Sequence, residues 1–328
     1  MTSYLIKLFE GIASAAALVK GARLQEALKV PLEKDVFARS VHSSTWIEGN
    51  MLSLAQVRAM SEGQDVLVER KQKLEVSNCL AAMRWVLKNK NKPVTEKGLL
   101  FVHTRMIKGL LPIVRSGRYR SVQNYVVDAR NIVVFTPPAP AKVAGRLKDL
   151  FMWLKGDDLH PLVRSAVFHH EFLTIHPFVD GNGRVARAVS QWFLWEKGID
   201  PLITLGMDDF FAQDRPRYYD MIQQTRDMDG DYTHWVEYVA EGLKSSAEIV
   251  QDRIKEGSLR LERAALTPKQ DELVALLRRF GVLNAVQICK EMKVNRARVN
   301  QLILPLVRSE IVVRTGAARA VRYRLNEA

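Results

Sequence analysis

The stretch from His176 to Arg187, HPFVDGNGRVAR, sets a histidine, an aspartate, an asparagine and two arginines around two glycines. Separately these residues have plain explanations: Gly, Asn and Asp accept turn dihedrals, and a single histidine is more often packed or capping than reactive. Together they specify a chemistry. A glycine-bracketed loop that runs into a helix, here Gly181, Asn182 and Gly183, presents unpaired backbone N–H groups at the positive end of a helix dipole, which suits a phosphate. Arg184 and Arg187, three apart at the start of that helix, project toward the same anion. Asp180 has the oxygen chemistry to hold a hard cation such as Mg²⁺, the usual companion of a polyphosphate. His176 supplies a group that exchanges a proton near neutral pH.

These side chains need a scaffold. The 328 residues, 47% apolar and 26% charged, suffice for one large core and a smaller one. No apolar run approaches the roughly 18 residues of a membrane span. Near the N-terminus Lys7 and Glu10 place "IASAAALVKGA" in an amphipathic helical pattern, which argues against a secretory leader. Cys79 and Cys289 have no paired spacing for a zinc site or a disulfide framework, so a reducing cytoplasm is the expected compartment.

The pattern is mostly α. "LIKLFEGIASAAALV" and "SLAQVRAMSEG" repeat apolar residues at helical spacing, with Ser53 as N-cap of the second. "VQNYVVDARNIVVFTPPAP" has β-branched runs on either side of "DARN" and ends at a proline pair, which predicts one exposed hairpin. Helical periodicity resumes at Ala141 and continues on both sides of the HPFVDGNGRVAR stretch. The expected organisation is a helical region over 1–95, a core over 96–245, a charged helical linker over 246–265 and a separate domain over 266–328.

In that last domain Thr267 and Pro268 open a helix that Gly281 closes, "AVQICKEM" follows Asn284, and a third helix starts near Asn295. "IVVRTGAARAVRYRL" reads as a hairpin turning near Gly316, which completes a winged helix-turn-helix pattern. From Ser258 onward fourteen Lys/Arg stand against six Asp/Glu, a net +8 of the whole chain's +13. Arg296, Arg298, Asn300 and Gln301 are placed to reach phosphates or base edges, with Arg314, Arg319, Arg322 and Arg324 on the wing. Pro305 should kink or shorten the third helix. DNA binding and protein docking are both open to such a module.

The HPFVDGNGRVAR stretch resembles the signature of Fic-domain proteins, His-x-Phe-x-Asp/Glu-Gly-Asn-Gly-Arg-x-x-Arg, and meets it at His176, Phe178, Asp180, Gly181, Asn182, Gly183, Arg184 and Arg187. "GRYRSVQNYVVDARNIVVFTPP" resembles the family's target-docking flap, and "YYDMIQQTRDMDGDYTHWVEYV" the helices after the motif. The resemblance implies a Fic fold, a helical bundle with a hairpin flap, that transfers AMP from ATP to a Ser, Thr or Tyr hydroxyl of a target protein. It implies that His176 deprotonates the hydroxyl and that Mg²⁺ on Asp180 bridges the α and β phosphates. Asn182 and the loop backbone would hold the α-phosphate, Arg184 the β-phosphate and Arg187 the γ-phosphate. Phe178 would anchor the loop in the core, and Tyr218 or Tyr219 would border the adenine.

Upstream, "SSTWIEGN" resembles the family's inhibitory helix, Ser/Thr-x-x-x-Glu-Gly/Asn, at Ser44, Glu48 and Gly49, within a helix expected over 36–50. The plain alternative is a helix C-terminus with Gly49 and Asn50 as left-handed cap. The resemblance implies instead a bidentate pairing of Glu48 with Arg187 that displaces the γ-phosphate. "HHEF" lacks the second histidine of a zinc motif, because position 174 is Thr174; His169 and His170 read as packed helix residues. The reading is therefore an autoinhibited adenylyltransferase with Mg²⁺ as cofactor and no membrane partner. Its rivals are an AMP-removing or bifunctional enzyme that uses Glu48, and a nucleotide-sensing transcription regulator. Whether the chain pairs as a homodimer stays open.

Overall fold

The computed structural model describes residues 2–21, 26–127, 130–156, 158–228, 230–264, 266–309, 311–316 and 321–326. The chain divides into two compact units, residues 1–17 with 35–248, and residues 18–34 with 249–328.

The first unit is built around two helices, α7 (Pro161–Ile175) and α8 (Asn182–Glu196), joined by the HPFVDG turn. Helix α8 carries Arg184, Arg187, Ser190 and Gln191 among its apolar residues, and every residue from Arg184 to Trp195 is buried, so its polar side chains must find partners inside the unit. Preceding it in the chain are α1 (Ser3–Gly21), α2 (Glu26–Ile47), α3 (Leu54–Ser61), α4 (Arg70–Lys88), α5 (Glu96–Met106) and α6 (Pro140–Leu154). Helices α4 and α5 pack on α8, and α6 packs on α7. Ser53 caps α3 in a reciprocal capping box with Gln56. After α8 come α9 (Pro201–Thr204), α10 (Met207–Gln213), α11 (Arg215–Asp227) and the long α12 (Thr233–Ala264).

The expected hairpin is present but short. Strands β1 (Val126–Val127) and β2 (Val133–Phe135) pair antiparallel, with Val126 opposite Phe135 and an irregularity after it. Of the expected "DARN" turn, residues 128 and 129 lie outside the described residues.

In the second unit α13 (Pro268–Phe280), α14 (Ala285–Met292) and α15 (Arg296–Arg308) precede an antiparallel hairpin of β3 (Val312–Thr315) and β4 (Arg322–Leu325). Leu277, Ile288, Val299, Ile303 and Leu306 meet in its core. Pro305 neither ends nor shortens α15, which continues to Arg308. Proline there lacks the N–H that would bond the Gln301 carbonyl and crowds that carbonyl with its ring, yet the helix goes on and the Pro305 carbonyl accepts from the Ser309 N–H at 3.0 Å.

Gly98 lies where α5 crosses α8: a Cβ there would meet the Trp192 ring. That ring cannot simply swing aside, because its Nε1 donates to the carbonyls of Asn89 and Lys92. Gly98→Ala should therefore cost about 1–3 kcal/mol by overpacking, read as a lowered midpoint in thermal denaturation; an unchanged midpoint would mean that the α5–α8 crossing has room for a methyl group.

Candidate active site

His176 ends α7 in the left-handed region, φ 50° and ψ 59°, which costs a non-glycine residue about 1–2 kcal/mol. Groups outside the turn hold it there. Arg120, 3% exposed, donates from Nε to the His176 carbonyl at 2.9 Å and from its backbone N–H to the Pro177 carbonyl at 2.8 Å. The same guanidinium reaches the carbonyls of Val122 and Pro138, one on each leg of the hairpin. The imidazole Nδ1 lies 3.2 Å from the Leu173 carbonyl. A carbonyl only accepts, so Nδ1 carries the proton and the lone pair is left on Nε2. Burial pushes the imidazole down to about 4, helped by the charges of Arg226 and Arg120 and opposed by the Leu173 bond and Glu48. The ring is thus neutral at physiological pH.

The loop after it is fastened from both sides. Phe178 is fully buried and stacks on His103 at 3.6 Å between ring centroids. His103 accepts the Gly117 N–H at Nδ1 and donates from Nε2 to the Asp180 carbonyl. Asn182 folds its side chain back, accepting from the Phe178 N–H and donating to the Phe178 carbonyl, both at 2.9 Å. The amide thus helps close the loop, and its Nδ2 keeps a second N–H beyond the one given to the Phe178 carbonyl. Gly181 enters α8 with φ 84° and no side chain caps the helix, which leaves the N–H groups of its first turn unclaimed by a cap. Asp180 is half exposed and accepts from the Gly181 N–H. Arg184 is buried with Nη2 3.4 Å from Asp180 Oδ1.

Arg187 is 1% exposed. Its Nε donates to Ser44 Oγ at 2.9 Å, and its Nη2 to the Ser44 carbonyl and to Glu48 Oε1, each at 2.8 Å. The contact with Glu48 is a single hydrogen bond, not the bidentate one expected, because Ser44 takes the Nε edge. Burial opposes the Glu48 charge, yet Arg187 and Arg184 hold its carboxyl below the usual range. A Cβ on Gly183 would overlap that carboxylate, so Glu48 rests directly on the first turn of α8, where the dipole favours an anion. Gly49 follows with φ 94°: the cap and the contact are one structure. Helix α2 begins earlier than position 36 and ends at Ile47, one residue short of Glu48.

Sequence reasoning missed Asp208, Arg120, His103 and Arg226. Asp208 in α10, raised to about 6 by burial, lies 4.0 Å from Arg187 Nε and accepts from Ser40 Oγ. Only Arg120 carried a signal, its place in the flap-like segment. Tyr218 is in the core, its hydroxyl 2.8 Å from His169 Nε2; Tyr219 is 40% exposed and donates to the Ile47 carbonyl. His169 and His170 are buried packing residues, and among the described residues no cluster of three His, Cys, Asp or Glu could hold a metal. Nor is any helix of the described residues long and apolar enough to cross a membrane. In the second unit Arg296, Arg298, Asn300 and Gln301 line the exposed face of α15, and Arg314 and Arg322 are exposed on the hairpin. Arg324 is half-buried, and Arg319 lies outside the described residues.

Residues 93–194 match the Fic/DOC family. Over 226 residues the chain is 32% identical to the protein adenylyltransferase Fic of Culex quinquefasciatus, covering 66% of this chain and 42% of that protein. It is 29% identical over 252 residues to the protein adenylyltransferase fic-1 of Caenorhabditis elegans, covering 73% of this chain and 47% of the other. A solved Fic family protein from Desulfovibrio desulfuricans is similar with a TM-score of 0.69 at 26% identity, over 99% of this chain and 96% of that one. The chain spans less than half the length of these curated relatives.

The Glu48 contact has a pH signature. A carboxyl held below its unfolded value of about 4.5 contributes stability that is full above that value and fades as pH falls through the folded one. The wild type should thus exceed Glu48→Gln by about 1–2 kcal/mol from pH 8 to about pH 5. The gap in denaturation midpoints should narrow as pH falls below about 4.5 and on through the lower folded value; a gap that stays constant over that fall would mean that Glu48 is not held by charge.

Proposed function

The chain carries a Fic/DOC-family domain over residues 93–194, and from that premise we propose that it transfers AMP from ATP to a hydroxyl side chain of a target protein and is held silent by Glu48. The observation that carries the reading is the pairing of a neutral His176, its lone pair on Nε2, with an uncapped α8 N-terminus flanked by Arg184 and Arg187. His176 Nε2 takes the proton as the hydroxyl oxygen attacks the α-phosphorus, the α–β anhydride bond breaks, and pyrophosphate leaves. Backbone N–H groups of Asn182, Gly183 and Arg184 receive phosphate oxygens, and the two guanidinium groups stabilise charge on the leaving group.

Mg²⁺ fits the donor set. One half-exposed carboxylate, Asp180, belonging to no cluster of three potential ligands among the described residues, suits an ion that keeps several waters and takes its other oxygens from phosphates. When bound it neutralises α- and β-phosphate charge.

Glu48 occupies the α8 N-terminus and one edge of Arg187, the place and partner that a γ-phosphate requires. Glu48→Gly should therefore raise self-labelling with α-labelled ATP and Mg²⁺ by one to three decades, since each ~1.4 kcal/mol of released bias is about tenfold. Adding His176→Ala should remove about 10²–10⁴ of that rate with nucleotide binding retained. A folded, nucleotide-binding Glu48→Gly no more active than its parent would sink the autoinhibited reading. A Glu48→Gly protein that gains transfer but loses the ability to strip AMP from a modified target would assign Glu48 both directions of the reaction.

For residues 266–328 the reading is a winged helix that binds DNA, supported by the exposed Arg296, Arg298, Asn300 and Gln301 on α15 and by a core of its own. That segment should bind duplex DNA with an affinity that falls steeply as salt rises, because Lys and Arg release counterions from phosphates. No retention on any duplex at low salt would reassign it to protein docking.

A further inference from the structure

The flap and the base share two arginines. Arg120 ties both hairpin legs to the His176 carbonyl. The second, Arg226 of α11, lies between the flap and the imidazole. Its guanidinium sits over the Phe135 ring of β2, 3.8 Å from the centroid. Its Nη2 donates to the Leu173 carbonyl at 3.1 Å, the same oxygen that accepts from His176 Nδ1 at 3.2 Å. Nε lies 3.3 Å from Thr174 Oγ1, and Nη1 the same distance from Gln223 Oε1. Each of these hydrogen bonds is to a neutral acceptor, the carboxylates of Glu171 and Asp227 act on the cation only through charge, and the aromatic face of the flap is what it rests on.

We propose that Arg226 is a positioning residue through which the flap sets the general base: seated on Phe135 and bonded to the Leu173 carbonyl, it passes any movement of the hairpin to the group that orients His176. The idea rests on His176 being the base of the reaction proposed above. The flap is where a target segment would lie, so the base is adjusted by the surface that receives its substrate.

The sign of the effect follows from charge. A cation near a neutral imidazole disfavours its protonation, so withdrawing the cation makes the ring easier to protonate. The charged groups around His176 are Arg226, Arg120 and Glu48; the two arginines push its pKa down and Glu48 pushes it up. Arg226→Met keeps an apolar stem against Phe135 and removes the charge. Phe135→Ala leaves the charge and removes its seat.

The test is an NMR titration of the His176 ring between about pH 4 and 7 in the nucleotide-free full chain. Arg226→Met should move the midpoint up by about one unit, a tenfold rise in protonated fraction at a given pH. Phe135→Ala, on the hairpin and seated against Arg226, should move it the same way by about two- to threefold in protonated fraction. Arg226→Lys should stay near the parent, and the double variant should go no further than Arg226→Met alone, since the flap acts through the arginine. A midpoint that Phe135→Ala leaves in place would overturn the proposal, as would equal shifts from Phe135→Ala with and without Arg226. If Arg226→Met does not fold, Phe135→Ala and Arg226→Lys decide the matter. The readout needs no transfer, so an inactive Glu48→Gly would defeat the transferase reading and leave this result standing.

Discussion

A guanidinium buried in the first turns of a central helix must have its charge met locally, and much of the first unit can be understood from that requirement. Helix α8 is buried from Arg184 to Trp195, polar residues included, and Arg187 goes to the centre with it. Removing one partner from a buried charge costs several kcal/mol unless another is at hand. Two elements far apart in sequence converge on the site: α2 brings Ser44 and, just past its end, Glu48, and α10 brings Asp208. The two carboxylates are unequal. Asp208 is shut in, and burial raises its carboxyl, whereas Glu48 retains 30% of its side-chain surface and is held below the usual range. Glu48 is the one with a route to water and the one an incoming anion could replace.

The turn ahead of α8 shows the opposite economy. Its residues do not hold themselves: His176 sits in a left-handed conformation that a non-glycine residue avoids, and Gly181 adopts one as well. Arg120 fixes the backbone at His176 and Pro177, His103 fixes Asp180 and stacks on Phe178, and Asn182 closes the loop on Phe178. Strain at a reactive group persists only where the surroundings over-determine it. The two bonds of the Asn182 side chain to Phe178 also fix the direction of its amide relative to the first turn of α8.

What is legible in the sequence follows from range. The HPFVDGNGRVAR stretch gathers its reactive groups within twelve residues, so neighbouring residue types alone are enough to argue its chemistry, as they are for the caps at Ser53 and Asn284. The pairing of Glu48 with Arg187 spans well over a hundred residues and is accessible only through a family resemblance. Asp208, His103 and Arg226 have no local signal at all, because each acts on a backbone or charge that folding alone brings near. Where two tyrosines stand side by side, helical phase decides: Tyr218 points into the core and Tyr219 out of it. Pro305 does less than its type suggests, since near the end of α15 the single bond it forfeits is too little to stop the helix.

The two readings of "SSTWIEGN" do not compete. Ending α2 requires a residue that accepts positive φ, and Gly49 does so at 94°. The turn that follows from this stop, with the Glu48 N–H on the Thr45 carbonyl and the Gly49 N–H on the Trp46 carbonyl, fixes where the glutamate stands. Ser44, one helical turn earlier, meets the same guanidinium, so α2 presents its contacts on one face and its charge at one end. On the other side Gly183 has no Cβ, and the space a methyl would fill is taken by the Glu48 carboxylate. A cap on one helix and a missing side chain on another together let the Glu48 carboxylate rest against the N-terminus of α8.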